Sequence, residues 1–121
     1  MSFFLEGGTA PVTREQERAQ RAYDQVSKHR KTPIEAEYNR FSKSYPALLH
    51  TCGLAQAIAY GQAKAPHYME DLAYVVGLPN VEGMARAARE APLPIYQKQS
   101  RDTLAAATWI KRYAEALLEG E

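Results

Sequence analysis

Residues 95–118 read IYQKQSRDTLAAATWIKRYAEALL, and this stretch decides the fold class. It contains neither Gly nor Pro. At 100° per residue, Tyr96, Thr103, Ala106, Ala107, Ile110, Tyr113, Ala114 and Leu117 share one broad apolar arc. One long amphipathic helix is predicted from about Ile95 to Leu118, entered through a stiff corner at Pro92 and Pro94.

The segments upstream have the same character. Two short helices are predicted, about His67–Val76 and Val81–Ala91, with Gly77 as a C-cap and Asn80 as an N-cap. Before them, Ala47-Leu48-Leu49 and Leu54–Tyr60 are too apolar for a surface helix and predict a central buried segment running to about Lys64. Pro46 predicts a break or kink after Tyr45; Gly53 and Gly61 favour close helix packing, with a second kink at Gly53 as the alternative. Thr32-Pro33-Ile34-Glu35 is a helix start with Thr32 as N-cap, and Ile34, Tyr38, Phe41 and Tyr45 follow as an apolar stripe. Thr13-Arg14-Glu15-Gln16 fits a capping box and opens a first helix to about Lys31, with Ala19, Ala22, Tyr23 and Val26 on its inner face. No stretch alternates long enough for a strand. The chain is therefore read as all-α: a single compact bundle of five to seven helices over residues 13–121, with a tail at 1–12.

A length of 121 residues supports one domain with a core large enough to fold without disulfides or metals. Apolar residues make up 45% and charged residues 24%, an ordinary globular mixture. The net charge of +1 excludes a strongly basic histone-like protein and an acidic tail protein. All fifteen Lys and Arg nevertheless lie between residues 14 and 112, against ten acids there, so a basic body is flanked by acidic ends. There is no membrane-spanning run and no signal-peptide pattern, and Cys52 is the only cysteine, so a cytoplasmic location is expected. Phe3, Phe4 and Leu5 place three large apolar groups in the tail; they either dock on the domain itself or form a partner interface.

Catalytic chemistry has little support. His50, Cys52 and His67 resemble a partial metal set, but a fourth ligand has no source, and Cys52 lies in the most apolar segment, where core packing is expected. Glu70 and Asp71 are helix neighbours about 100° apart and are read as complementing a helix dipole. No phosphate-binding glycine loop occurs. No enzyme activity, metal or cofactor is expected.

The cations are better organised. Arg14, Arg18, Arg21 and Lys28 fall within about 80° on the first helix, and Lys98, Arg101 and Arg112 within about 60° on the last, with Lys111 at the edge. A solvated charged face accounts for either stripe, with Glu17 and Asp24 bordering the first. Contact with phosphate backbones is the functional alternative. Trp109 borders both the apolar arc and the basic stripe.

Tyr45-Pro46-Ala47-Leu48-Leu49, Gly53-Leu54-Ala55-Gln56-Ala57-Ile58-Ala59-Tyr60, Leu104 and Trp109-Ile110-Lys111-Arg112-Tyr113-Ala114-Glu115 together resemble the small helical subunit of type III-B CRISPR effectors, the Cmr or RAMP-module complexes. Tyr23, Val26, Tyr38 and Tyr68 also fit. The resemblance spans roughly residues 19–118. Cys52 departs from the Asn frequent in that family, and Tyr60 and Tyr113 from Phe. The resemblance implies a non-catalytic brick that stacks with copies of itself as a minor filament beside the subunits carrying the guide RNA. The implied partners are the other complex subunits, CRISPR RNA and target RNA, the RNAs through non-specific backbone contacts. The candidate RNA-binding residues are Arg18, Arg21, Lys28, Lys98, Arg101, Lys111 and Arg112. Two further readings are a purely protein-binding scaffold, and a small metalloenzyme built on His50, Cys52 and His67.

Overall fold

The computed structural model describes residues 12–120 and forms six helices: α1 (Arg14–Ser27), α2 (Glu35–Cys52), α3 (Leu54–Lys64), α4 (Pro66–Val76), α5 (Val81–Glu90) and α6 (Leu93–Leu117). No strand occurs among the described residues. Phe3, Phe4 and Leu5, and most of the tail read at 1–12, lie outside them.

The local start and stop signals act largely as read. Thr13 accepts from the Gln16 backbone N–H at 3.0 Å while Gln16 Oε1 accepts from the Thr13 N–H at 2.8 Å, closing the capping box. Asn80 Oδ1 caps α5 through the Gly83 N–H at 2.7 Å, and Gly77 ends α4 in the left-handed region at φ 105°.

Three boundaries differ from expectation. α1 stops at Ser27, not near Lys31: from Lys28 the backbone tightens into three-residue turns, His29 N–H bonding the Val26 carbonyl at 3.0 Å, and the chain reverses through Lys31 at φ 60°. Thr32 is not the cap of α2. Its hydroxyl donates back to the His29 carbonyl at 2.7 Å, and α2 begins at Glu35, after Ile34 and with no side-chain cap. Pro46 does not break the helix, since α2 runs through it to Cys52. The lost backbone bond is outweighed by burial on both sides: Tyr45 and Leu49 are inside, and the Tyr45 hydroxyl donates to the Ala57 carbonyl of α3 at 2.6 Å. The turn falls instead at Gly53, whose φ of 85° with ψ of 163° is open essentially only to Gly. Tyr96 of α6 then caps α3 from outside, its hydroxyl accepting from the Ala55 N–H at 3.1 Å.

α6 lies against α1, α2, α3 and α4 and forms the spine of the bundle. Its Thr103, Ala106, Ala107, Ile110 and Ala114 are buried, and Tyr96, Tyr113 and Leu117 partly so. The small alanines bring Ala22 and Val26 of α1 and Tyr38 and Tyr45 of α2 close around the spine. Several residues read as interior are not: Ala47 and Ala59 are exposed, Tyr23 is 45% and Tyr60 48% exposed.

Asp71 is corrected most sharply. It is a buried hub, not a surface charge near a helix start. It accepts from the Tyr38 hydroxyl at 2.6 Å and from Gln25 Nε2 at 2.8 Å, and lies 2.8 Å from His29 Nε2, joining α1, the following turn, α2 and α4. Burial, and then the Asp71 carboxylate, push the Tyr38 hydroxyl well above its ordinary pKa.

Candidate nucleic-acid interface

α1 and α6 pack together, and this brings the two basic stripes to one place. Arg14, Arg18, Arg21 and Lys98 line a hollow of about 300 Å³, with Glu17, Asp102 and the end of α4 at Val76–Gly77. Asp102 organises it. Arg18 Nη2 bonds Asp102 Oδ1 at 2.9 Å, and Lys98 Nζ bonds Oδ2 at 2.8 Å. Burial would raise the Asp102 carboxyl, but Lys98 and then Arg18 overcome it and hold the group below its ordinary range. The acids flagged beside the first stripe do not serve in this way: Asp24 accepts from Gln20 at 3.0 Å, within α1.

The seven candidate residues separate into two groups. Arg18 is turned inward, its side chain 11% exposed, so its charge is committed to Asp102. Arg21 donates to the Tyr74 carbonyl at 3.1 Å, and its guanidinium lies 5.3 Å from the Tyr74 ring centre. Lys28 is exposed at the end of α1, where its ammonium donates to Gln25 Oε1 at 3.1 Å. Lys98 extends into solvent with only its tip on Asp102. Arg101 and Arg112 are exposed, Lys111 is half-buried, and none of these three has an ion-pair partner among the described residues. Arg14 joins the hollow although it stood outside the seven. Asp102 was missed as well; its signal was the Lys98–Asp102 spacing of four on one helix.

Trp109 is half-buried at the α1–α6 seam. Its indole N–H donates to Glu15 Oε1 at 2.7 Å and its ring stacks on Tyr113 at 5.8 Å, with Tyr23 edge-on to Tyr113. It is thus held by protein groups at the border of the basic stripe.

No group of three or more His, Cys, Asp or Glu among the described residues comes close enough to hold a metal ion. His50, Cys52 and His67 all lie at the surface, which overturns core packing as the account of Cys52. No helix is long and apolar enough to cross a membrane among the described residues.

The sequence pattern of the CRISPR-associated family Cas_Cmr5 matches residues 14–117, the whole helical body. The chain belongs to the Cas_Cmr5 family. It is 40% identical over 111 residues to the CRISPR system Cmr subunit Cmr5 of Thermus thermophilus, covering 88% of this chain and 97% of that protein. The crystal structure of a CRISPR-associated Cmr5 family protein from Thermus thermophilus matches with a TM-score of 0.87 at 38% identity, covering 90% of this chain and all of that one. The residues that carried the resemblance divide between interior and surface: Tyr45, Leu49, Leu54, Ala57, Ile58, Ile110 and Ala114 are buried, whereas Gln56, Tyr60, Arg112 and Glu115 are exposed. The buried positions build the fold, while Lys111 and Arg112 of the same blocks lie towards the surface.

Proposed function

We propose that this chain is the non-catalytic small subunit of a type III-B, Cmr-class CRISPR effector complex. Copies of it stack as a minor filament in the cytoplasm and line the path of the guide–target RNA duplex. The observation that carries this reading is the placement of charge. The α1–α6 packing gathers Arg14, Arg21 and Lys98 around one hollow and leaves Arg101 and Arg112 exposed further along the same helix pair. Such a face attracts phosphates whatever their sequence, which suits a complex in which base pairing supplies specificity.

Arg18 is a positioning residue in this account: by holding Asp102 it steadies α6 against α1, and the outer cations meet the RNA. Replacing Arg101 and Arg112 together by Glu is expected to weaken target-RNA binding to the assembled complex, most strongly at low salt, and to flatten the salt dependence. Unchanged binding across a salt series, with normal helicity and assembly, overturns it. Phe3, Phe4 and Leu5 are proposed to dock on a neighbouring subunit. Deleting residues 1–8 is then expected to weaken assembly, and assembly at native affinity contradicts this role.

A further inference from the structure

A second hollow, of about 420 Å³, opens between α2, the end of α3 and the start of α4. None of its lining residues belongs to the α1–α6 cluster. Its volume falls within the range of small-molecule sites, about 300–1,000 Å³.

Flat rings dominate its wall. Phe41 and Tyr60 lie only 9° from parallel, centres 6.3 Å apart, and Tyr60 is 48% exposed although it sits at the mouth of an apolar site. Phe41 is fixed from behind by Tyr45 at 5.2 Å and by Tyr68 at 4.9 Å, both buried. The aromatic surface is therefore rigid at its base and open at its edge. Two cations stand on the rim. Arg40 from α2 and Lys64 from α3 are exposed and have no carboxylate partner among the described residues; Glu37 is the single acid in the wall. The entry of α4 adds to this field, since it begins at Pro66 with no side-chain cap and no acid in its first turn.

Flat apolar rings beside two unpaired cations match a ligand that is planar and apolar at one end and anionic at the other. We propose that this hollow binds a nucleotide unit, its base against Tyr60 and Phe41 and its phosphate at Arg40 and Lys64. The unit is either a free nucleoside monophosphate or one residue of a single-stranded RNA, and the chemistry recognised is the same. This site stands independently of the α1–α6 face.

The test is titration of the full chain with adenosine 5′-monophosphate and, separately, with a short single-stranded oligoribonucleotide, followed by the ring resonances of Tyr60, Phe41 and His67. Saturable shifts at these residues are expected. Tyr60→Ala, which removes a half-exposed ring and should leave helicity unchanged, is expected to weaken binding about tenfold, the size of one base–aromatic stack. Lys64→Gln is the second variant and is expected to weaken binding with the rings intact. Equal response to both probes assigns a free-nucleotide site; response to the oligonucleotide at far lower concentration assigns a strand site. The proposal is overturned if neither probe gives saturable shifts there, if shifts fall only on α1 and α6, or if both variants bind as the parent does. Shifts confined to α1 and α6 would leave the reading of the basic face standing.

Discussion

At the scale of single residues, two buried or half-buried carboxylates do most of the organising. Asp71 receives hydroxyl and amide donors from two helices while only 5% exposed. Asp71→Ala would leave the buried Tyr38 hydroxyl without a partner, a loss of about 2–4 kcal/mol or roughly 10 °C in Tm, read by thermal unfolding. Asp102 works nearer the surface, and Asp102→Asn is expected to cost about 1 kcal/mol. Because the folded Asp102 carboxyl lies below its ordinary range, its contribution is complete above that range and is lost as pH falls through the folded value. Glu35 acts in the same sense. Backbone N–H groups of Glu119 and then Lys31, each at 2.9 Å, lower its pKa and tie the chain end to the start of α2. Chemical denaturation of the parent and Asp102→Asn between about pH 6 and pH 3 should therefore show the two stabilities converging as acid is added.

Among the elements, α3 and α4 approach closely at Gly61. A Cβ placed on Gly61 would come within 2.9 Å of Met69 Cγ and closer still to its Sδ, and Met69 is fully buried. Gly61→Ala gains about 1 kcal/mol of helix propensity but overpacks the seam by more, so a net loss of roughly 1 kcal/mol is expected in denaturant titration. At the α2–α3 turn, Tyr96→Phe removes the hydroxyl that caps α3 and should cost about 1 kcal/mol, measured in the same way. Capping explains what was readable in advance. Thr13 and Asn80 act on their own helices within three residues, so their roles follow from sequence. The external cap from Tyr96 and the survival of α2 through Pro46 depend on contacts across the bundle, and nothing local announces them. The same distinction governs the candidate site. Both basic stripes follow from helical spacing, but the sharing of Asp102, which ties up the charge of the candidate Arg18, appears only once α1 and α6 are packed.

For the molecule as a whole, buried tyrosines link stability to alkali. Burial raises Tyr38, Tyr45 and Tyr68 above their ordinary range, with Asp71 adding to the shift of Tyr38 and of Tyr68. Their folded values exceed the unfolded value near about 10, so the stability they contribute is present below that pH and is lost as pH rises beyond it. These rings should ionise together with loss of helicity, seen as a tyrosinate absorbance step coincident with the circular-dichroism transition. The near-neutral total of +1 conceals a basic body between acidic ends, and the proposed function assigns that body to RNA contact. The most direct test is photocrosslinking of a labelled target RNA in the assembled complex, with crosslinked peptides identified by mass spectrometry. The account predicts crosslinks on this chain within α6 between residues 98 and 112. Crosslinks confined to the other subunits, with this chain present at full occupancy, would contradict it and leave a scaffold that touches only protein.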